Sequence, residues 1–271
     1  MQEVIERERK FWNECGREHC PSTDDTADRV HPGDLYDRSM PWLPYLGLPS
    51  FTRCLLDTVG DVRGKRVLDL GTGTGFLAVL LALNGAQVTG VDVAEKQLEA
   101  ASRRAQLSGV QRAVTFLQMG AESLDFPDGA FDAVVGSFVL HHTDLRASGR
   151  EIYRVLAPGG TGAFIETSAR NRLLMLCRSH LVGRLGIPKH GSSDEHPLNL
   201  EDEQCLHDIF RGRVRYLYPQ TIFLRMAAAY LGVLRHWPVM GALKHMDEVQ
   251  SHFPPCRSLS YFVLVACNKQ A

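Results

Sequence analysis

The chain has 271 residues, enough for one sizeable core with a smaller cap. At 44% hydrophobic and 23% charged it reads as a globular protein rather than a disordered or fibrous one. A formal net charge of −1 excludes a global field that would gather nucleic acid or an anionic membrane.

The opening residues, "MQEVIERERKFWNECG", alternate in charge and hold no apolar stretch, so they are not read as a signal peptide. Glu3 to Glu18 has the pattern of a helix anchored by Phe11 and Trp12. Cys15, His19 and Cys20 have no second half of a metal site to join, and no metal is expected. The seven cysteines follow no regular spacing and suit reduced thiols, which points to a cytoplasmic location. Prolines at 32, 41, 44 and 49 break up "HPGDLYDRSMPWLPYLGLPS", and residues 1–60 read as a helical cap.

From Lys65 the pattern becomes periodic. "RVLDLG", "AQVTGVD", "AVTFLQ", "FDAVVGSFVL" and "GAFIET" are strand-like runs. Between them, "FLAVLLALNG" predicts a buried helix ending at Asn84 and Gly85. "AEKQLEAASRRAQLSG" predicts an amphipathic helix with Leu98, Ala101 and Ala105 inward. "ASGREIYRVLAPGG" predicts a helix closed by Pro158 and its glycines. Strands alternating with helices imply parallel pairing through right-handed crossovers.

The expected fold is therefore α/β: a Rossmann-like, doubly wound, mostly parallel sheet over residues 61–168. Residues 169–212 read as an irregular, substrate-side segment holding His180, His190 and His196. Over 213–271, "RVRYLYP" and "SLSYFVLVACNK" predict two last strands that add an antiparallel edge. A helical insertion, 221–250, separates them and acts as a lid or a dimer contact, and a homodimer is kept as a partner expectation. Within it, "TIFLRMAAAYLGVL" comes nearest to a membrane span, yet Arg225 interrupts it and it falls short of the roughly 18 apolar residues required. Arg211, Arg213 and Arg215 read as a solvated face.

In open parallel sheets, ligands sit beyond the carboxyl ends of strands where strand order reverses. The first strand exits through Asp69-Leu70-Gly71-Thr72-Gly73-Thr74-Gly75. A triphosphate loop would need G-x-x-x-x-G-K-S/T, and no lysine follows these glycines. A dinucleotide turn would be G-x-G-x-x-G facing pyrophosphate, but this one is G-x-G-x-G, and the Asp69 carboxylate would repel an anion. The same carboxylate suits an ammonium group. Asp92 ends the second strand, where an acid accepts hydrogen bonds from ribose hydroxyls. A ribose, an ammonium and no phosphate describe S-adenosylmethionine.

"VLDLGTGTG", residues 67–75, resembles motif I of the class I S-adenosylmethionine-dependent methyltransferases. "VTGVDVA", "MGAESLDFPDGAFDAVVGSFVLHH" and "EIYRVLAPGG" resemble later motifs of that family's small-molecule branch, in the expected order. The resemblance covers about Lys65 to Glu166. It implies that Asp69, Gly71, Thr72 and Gly73 line the methionine end. Asp92 would hold ribose and Val93 would pack beside adenine. Ala121 would offer an amide to the adenine ring, and Glu122 would accept from its exocyclic amine. Ser137 would stand near the sulfonium. Plainer readings remain open: Asp69 as a loop partner, Asp92 as a solvated strand end, and Glu122 as a cap. Asp132 is expected to fix the turn into its strand rather than to touch ligand.

Methyl transfer from a sulfonium is an in-line displacement, so the protein mainly aligns and desolvates the partners. A hydroxyl acceptor would also use a general base. His142 and His141 directly follow the fourth strand and are the first candidates, His142 ahead. Tyr36 is expected to close over the methionine end. Phe223, Met226, Tyr230, Trp237 and Met240 would suit an apolar acceptor, such as a lipid-like or aromatic secondary metabolite. A nucleic-acid or protein methyltransferase would want a basic stripe or an N-P-P-Y/F tetrad, and neither occurs. The alternative is a protein that binds the cofactor but catalyses another reaction, such as a cyclisation.

Overall fold

The structure is a computed structural model and describes residues 2–18, 28–38, 46–181, 196–230 and 237–271. The apolar runs become β1 (Arg66–Leu70), β2 (Gln87–Asp92), β3 (Val114–Gln118), β4 (Phe131–Ser137), β5 (Leu156–Thr167), β6 (Val214–Leu217) and β7 (Phe262–Asn268). They form one sheet of seven strands in the order β3-β2-β1-β4-β5-β7-β6. β1 to β5 pair in parallel, and β7 runs antiparallel to both β5 and β6. The expected mostly parallel, Rossmann-like sheet with an antiparallel edge is borne out. Strand order reverses between β1 and β4, which places the ligand crevice at the carboxyl ends of β1, β2 and β4.

Side chains alternate along each strand, so the sheet buries two layers. On one face Val67, Val135, Ala163 and Ile165 pack with α2 (Leu48–Val59) and α3 (Phe76–Leu83). On the other, Leu68, Leu70, Val134 and Phe164 pack with α5 (Leu145–Val155) and α7 (Leu200–Ile209). Period two therefore puts Asp69 on the α3 face, together with Val67.

Phe51 and Leu55 are fully buried, so α2 is part of the core rather than of the cap. The helix expected to run to Gly160 ends at Val155, and Leu156 already opens β5. Phe131 faces Leu156 while Ala133 faces Thr161, so residues 157–160 bulge out of the ladder, with Gly159 at φ +76°. The segment read as irregular carries α6 (Arg172–Leu181) and α7. Asn199 caps α7, its side chain accepting from the Glu201 and Asp202 amides.

α8 (Leu224–Tyr230) and α9 (Trp237–Gln250) lie between β6 and β7, followed by α10 (Pro254–Arg257). Arg225 locks this insertion together: its Nε donates to Asp247 Oδ2 at 2.9 Å, and both side chains are buried. Asp247 also accepts from the amides of Phe223, Leu224 and Arg225, capping α8.

The N-terminal elements dock on α4 (Glu95–Leu107). α1 (Gln2–Glu18) meets its first turn, where Asn13 Oδ1 accepts from the Lys96 amide and Gln97 Nε2 donates to the Trp12 carbonyl. A strap, residues 28–38, meets its end. There Ser108 Oγ accepts from the Val30 amide, and Arg29 Nε donates to the Leu107 carbonyl.

Candidate functional site

β1 delivers the chain into the glycine turn. Gly71, Gly73 and Gly75 all have positive φ, at 63°, 52° and 79°. A Cβ on Gly71 would lie 2.5 Å from Val139 Cγ2, and one on Gly75 would lie 2.7 Å from the Ala101 Cβ. A Cβ on Gly73 would meet nothing within 4 Å. The outer glycines thus serve close packing, while the middle one has open space where a side chain would stand.

Two carboxylates frame this turn. Asp69, 1% exposed, lies beneath it and accepts from the Thr72 hydroxyl at 2.7 Å and from the Ala78 amide. Asp92, half-buried, accepts from the Gly73 amide through Oδ2 and from the Ala94 amide through Oδ1, each at 2.9 Å. Burial pushes the Asp69 carboxyl up to about 7, opposed by its Thr72 and Ala78 hydrogen bonds and reinforced by the charge of Asp92. Burial also pushes Asp92 up, against the pull of the Ala94, Gly73 and Val93 amides. Two carboxyl groups thus meet at the crevice, each with a raised pKa that a bound cation would lower again. The crevice suits a ligand with a cationic head and repels a pyrophosphate. These features fit S-adenosylmethionine: an open backbone cradle at Gly73, and a carboxylate at Asp92 with lone pairs to spare for a ribose diol.

Around Gly120 two apolar side chains and one carboxylate meet, Glu122 Oε2 lying 3.3 Å from where a Cβ on that glycine would stand. Val93 Cγ1 and Ile5 Cδ1 lie 3.9 and 3.8 Å from where a Cβ on that glycine would stand. Ala121 is buried next to it. Glu122 Oε1 accepts from the Asp144 amide at 3.2 Å, while Asp144 itself caps α5. Asp132 stands at the opposite end of its strand, bound to Arg66. Ser137 ends β4, half-buried. Phe138 follows at φ +58°, a conformation that costs a non-glycine residue roughly 1–3 kcal/mol. Its ring packs on Phe262 and its amide donates to the Ile165 carbonyl. No sequence signal marks this residue.

His141 and His142 occupy a 3-10 turn, Leu140–His142, directly after Phe138 and Val139. His141 is buried, its Nδ1 2.6 Å from Glu166 Oε2. The other oxygen of Glu166 accepts from the Val139 and Leu140 amides, so a single carboxylate at the end of β5 shapes the turn and orients the ring. His142 packs against His141, with ring centroids 4.2 Å apart, and edge-on to Trp12 at 5.5 Å. Its Nδ1 is buried without a hydrogen bond, and Glu8 Oε2 lies 3.3 Å away. Glu8 in turn accepts from the Trp12 indole at 3.0 Å. The two imidazoles thus lie between a carboxylate from β5 and one from α1, and His142 is near enough to Asp92 to favour that group's charge. Sequence reading found the histidines but not Glu8, Glu166 or Ile5. These lie far along the chain from their partners, where no spacing rule links them.

Tyr36 sits half-buried in the strap. His180 and His196 are exposed, His196 being 3.7 Å from Asp202, and His190 lies outside the described residues. Phe223 and Met226 are half-buried and Met240 is buried, while the side chains of Tyr230 and Trp237 lie outside the described residues. So do the side chains of Cys15, His19 and Cys20. Among the described residues no group of three or more His, Cys, Asp or Glu could hold a metal ion.

The family model described as "Methyltransferase domain" matches residues 68–164. A demethylmenaquinone methyltransferase of Thermus thermophilus is 47% identical over 117 residues, 42% of this chain and 52% of that protein. The chain therefore spans about half the length of that relative. The ubiquinone/menaquinone biosynthesis C-methyltransferase UbiE of Desulfotalea psychrophila is 32% identical over 174 residues, 59% of this chain and 69% of that one. Among solved structures, geranyl diphosphate C-methyltransferase of Streptomyces coelicolor, in complex with Mg2+, geranyl-S-thiolodiphosphate and S-adenosyl-L-homocysteine, superposes with a TM-score of 0.62. At 16% identity over 98% of both chains, that likeness shows the fold. The chain belongs to the class I S-adenosylmethionine-dependent methyltransferases.

Proposed function

We propose that the chain transfers a methyl group from S-adenosylmethionine to a small, apolar acceptor of the quinol or phenol class. The observation that carries this reading is the pair of imidazoles at the exit of β4, flanked by Glu166 and Glu8. The names of the quinone-pathway relatives support the acceptor class. The half-buried Phe138, Phe223 and Met226 support an apolar lining.

When bound, the cofactor supplies an electrophilic methyl on a sulfonium. Asp92 would accept from the ribose hydroxyls, and Val93, Ala121 and Glu122 would hold adenine. Gly71, Thr72 and Gly73 would present backbone to the methionine end over the negative field of Asp69. Ser137 would face the sulfonium side, with Tyr36 closing over the amino-acid head. With the Nδ1 proton of His141 directed at Glu166 Oε2, 2.6 Å away, Nε2 would be the basic nitrogen. His141 or His142 would take the acceptor proton as the new bond forms. A net charge of −1 favours a small acceptor over nucleic acid. The described cysteines are free, which suits a reducing cytoplasm, and no described helix is long and apolar enough to cross a membrane.

The test is S-adenosylhomocysteine formation with a series of dihydroxynaphthalene and phenol acceptors. The reading expects S-adenosylhomocysteine and methylated acceptor in equal amounts. Acceptor rearranged without S-adenosylhomocysteine would support the cyclisation alternative instead.

A further inference from the structure

Arg104 on α4 serves none of the roles above, yet it is only 4% exposed, although a guanidinium is normally left in water. Its Nη1 donates to Asp37 Oδ2 at 2.6 Å and to Thr74 Oγ1 at 2.9 Å. Its Nη2 donates to Asp37 Oδ1 at 3.2 Å and to Asp28 Oδ1 at 3.4 Å. Asp28 and Asp37 are themselves buried, at 6% each. One planar fork thus joins three elements: α4, both ends of the strap, and the glycine turn.

The placement of these partners is what matters. Thr74 stands between Gly73, whose amide donates to Asp92, and Gly75, which closes on Ala101. Asp37 directly follows Tyr36 in the chain. The other strap contacts, from Arg29 and Val30 to the end of α4, already tie it down without touching the turn. A buried ion cluster adds little stability over apolar packing of the same volume, but a bidentate guanidinium fixes orientation. Here it fixes the strap relative to the backbone that would cradle the cofactor.

We propose that Arg104 is a positioning residue for the cofactor site. It holds the strap to Thr74, so that Tyr36 and the glycine turn form one wall of the methionine end. This rests on the cofactor reading given under Proposed function.

The test is calorimetric titration of S-adenosylhomocysteine into the wild type, Asp37→Asn, Thr74→Val and the double variant, with melting curves of each ligand-free protein. Each single change is expected to raise the Kd about tenfold, the effect of losing one charge-assisted hydrogen bond. The double variant is expected to bind no more weakly than the weaker single one, because both partners act through the same guanidinium. A lowered melting temperature with unchanged Kd would reduce the cluster to a structural clamp and overturn the proposal, as would fully additive effects. Thr74→Val leaves the ion pairs in place, so it carries the test if Asp37→Asn does not fold. In that case a raised Kd at an unchanged melting temperature supports the proposal, and an unchanged Kd overturns it. No heat from the wild type would instead overturn the cofactor reading itself.

Discussion

Asp69 and Asp92 lie at the carboxyl ends of adjacent parallel strands, and burial, reinforced by the charge of Asp92, makes Asp69 harder to ionise. Asp69 therefore holds its proton more tightly in the folded chain than in the unfolded one. The stability this contributes is complete below about pH 4 and is lost as pH rises through about 7. A cationic head bound above it favours the ionised form, so ligand binding at low pH must release that proton. S-adenosylhomocysteine affinity is thus expected to rise about tenfold between pH 6 and pH 8. At pH 6 its binding enthalpy should vary with the ionisation heat of the buffer. A flat affinity profile with a buffer-independent enthalpy would show that ligand and carboxylate do not sense each other. Glu166 offers a separate residue-scale test. Glu166→Gln keeps an acceptor for the Val139 and Leu140 amides but turns an amide toward His141. Turnover is expected to fall by about 10²- to 10³-fold, with S-adenosylhomocysteine affinity unchanged. Equal losses in binding and turnover would assign Glu166 to the scaffold alone.

At the scale of elements, the glycine turn is where backbone conformation and packing coincide. Gly71 combines φ +63° with a 2.5 Å approach to Val139. Gly71→Ala is expected to lower the melting temperature and abolish cofactor binding. Adding Val139→Ala relieves the clash but not the strained φ, so partial recovery of stability is expected. Full recovery would mean the backbone conformation is not needed. This turn was legible in the sequence because its chemistry is local: strand, acid, glycines, helix. The two acids were legible for the same reason, each being the last polar residue of a strand-like run. The boundary between α5 and β5 was not legible. Pro158 and two glycines look like a helix stop, yet the Phe131 to Leu156 pairing starts the strand first and leaves those residues in a bulge. The helices within 169–212 were missed because α7 buries little besides Leu206, so its apolar period is weak and only the Asn199 cap, with Asp202 three residues on, marks it in the sequence.

Across the whole molecule, α4 is the hub on which the N-terminal elements assemble. α1 brings Ile5 beside Gly120 and Glu8 to His142, and the strap's Asp37 is tied through Arg104 to Thr74 of the glycine turn. These contacts join residues up to 134 positions apart, 142 − 8, which is why a linear reading could name the histidines and Tyr36 but not what holds them. The class of the site was readable from two strand ends, and its completion depends on the tertiary fold. The most direct measurement is calorimetric titration of the wild type and Asp92→Ala with S-adenosylhomocysteine and, in parallel, with NADH. The account predicts saturable binding of S-adenosylhomocysteine, weakened by about 10- to 100-fold in Asp92→Ala, and no heat from NADH. Binding of NADH, or S-adenosylhomocysteine affinity untouched by loss of Asp92, would contradict it.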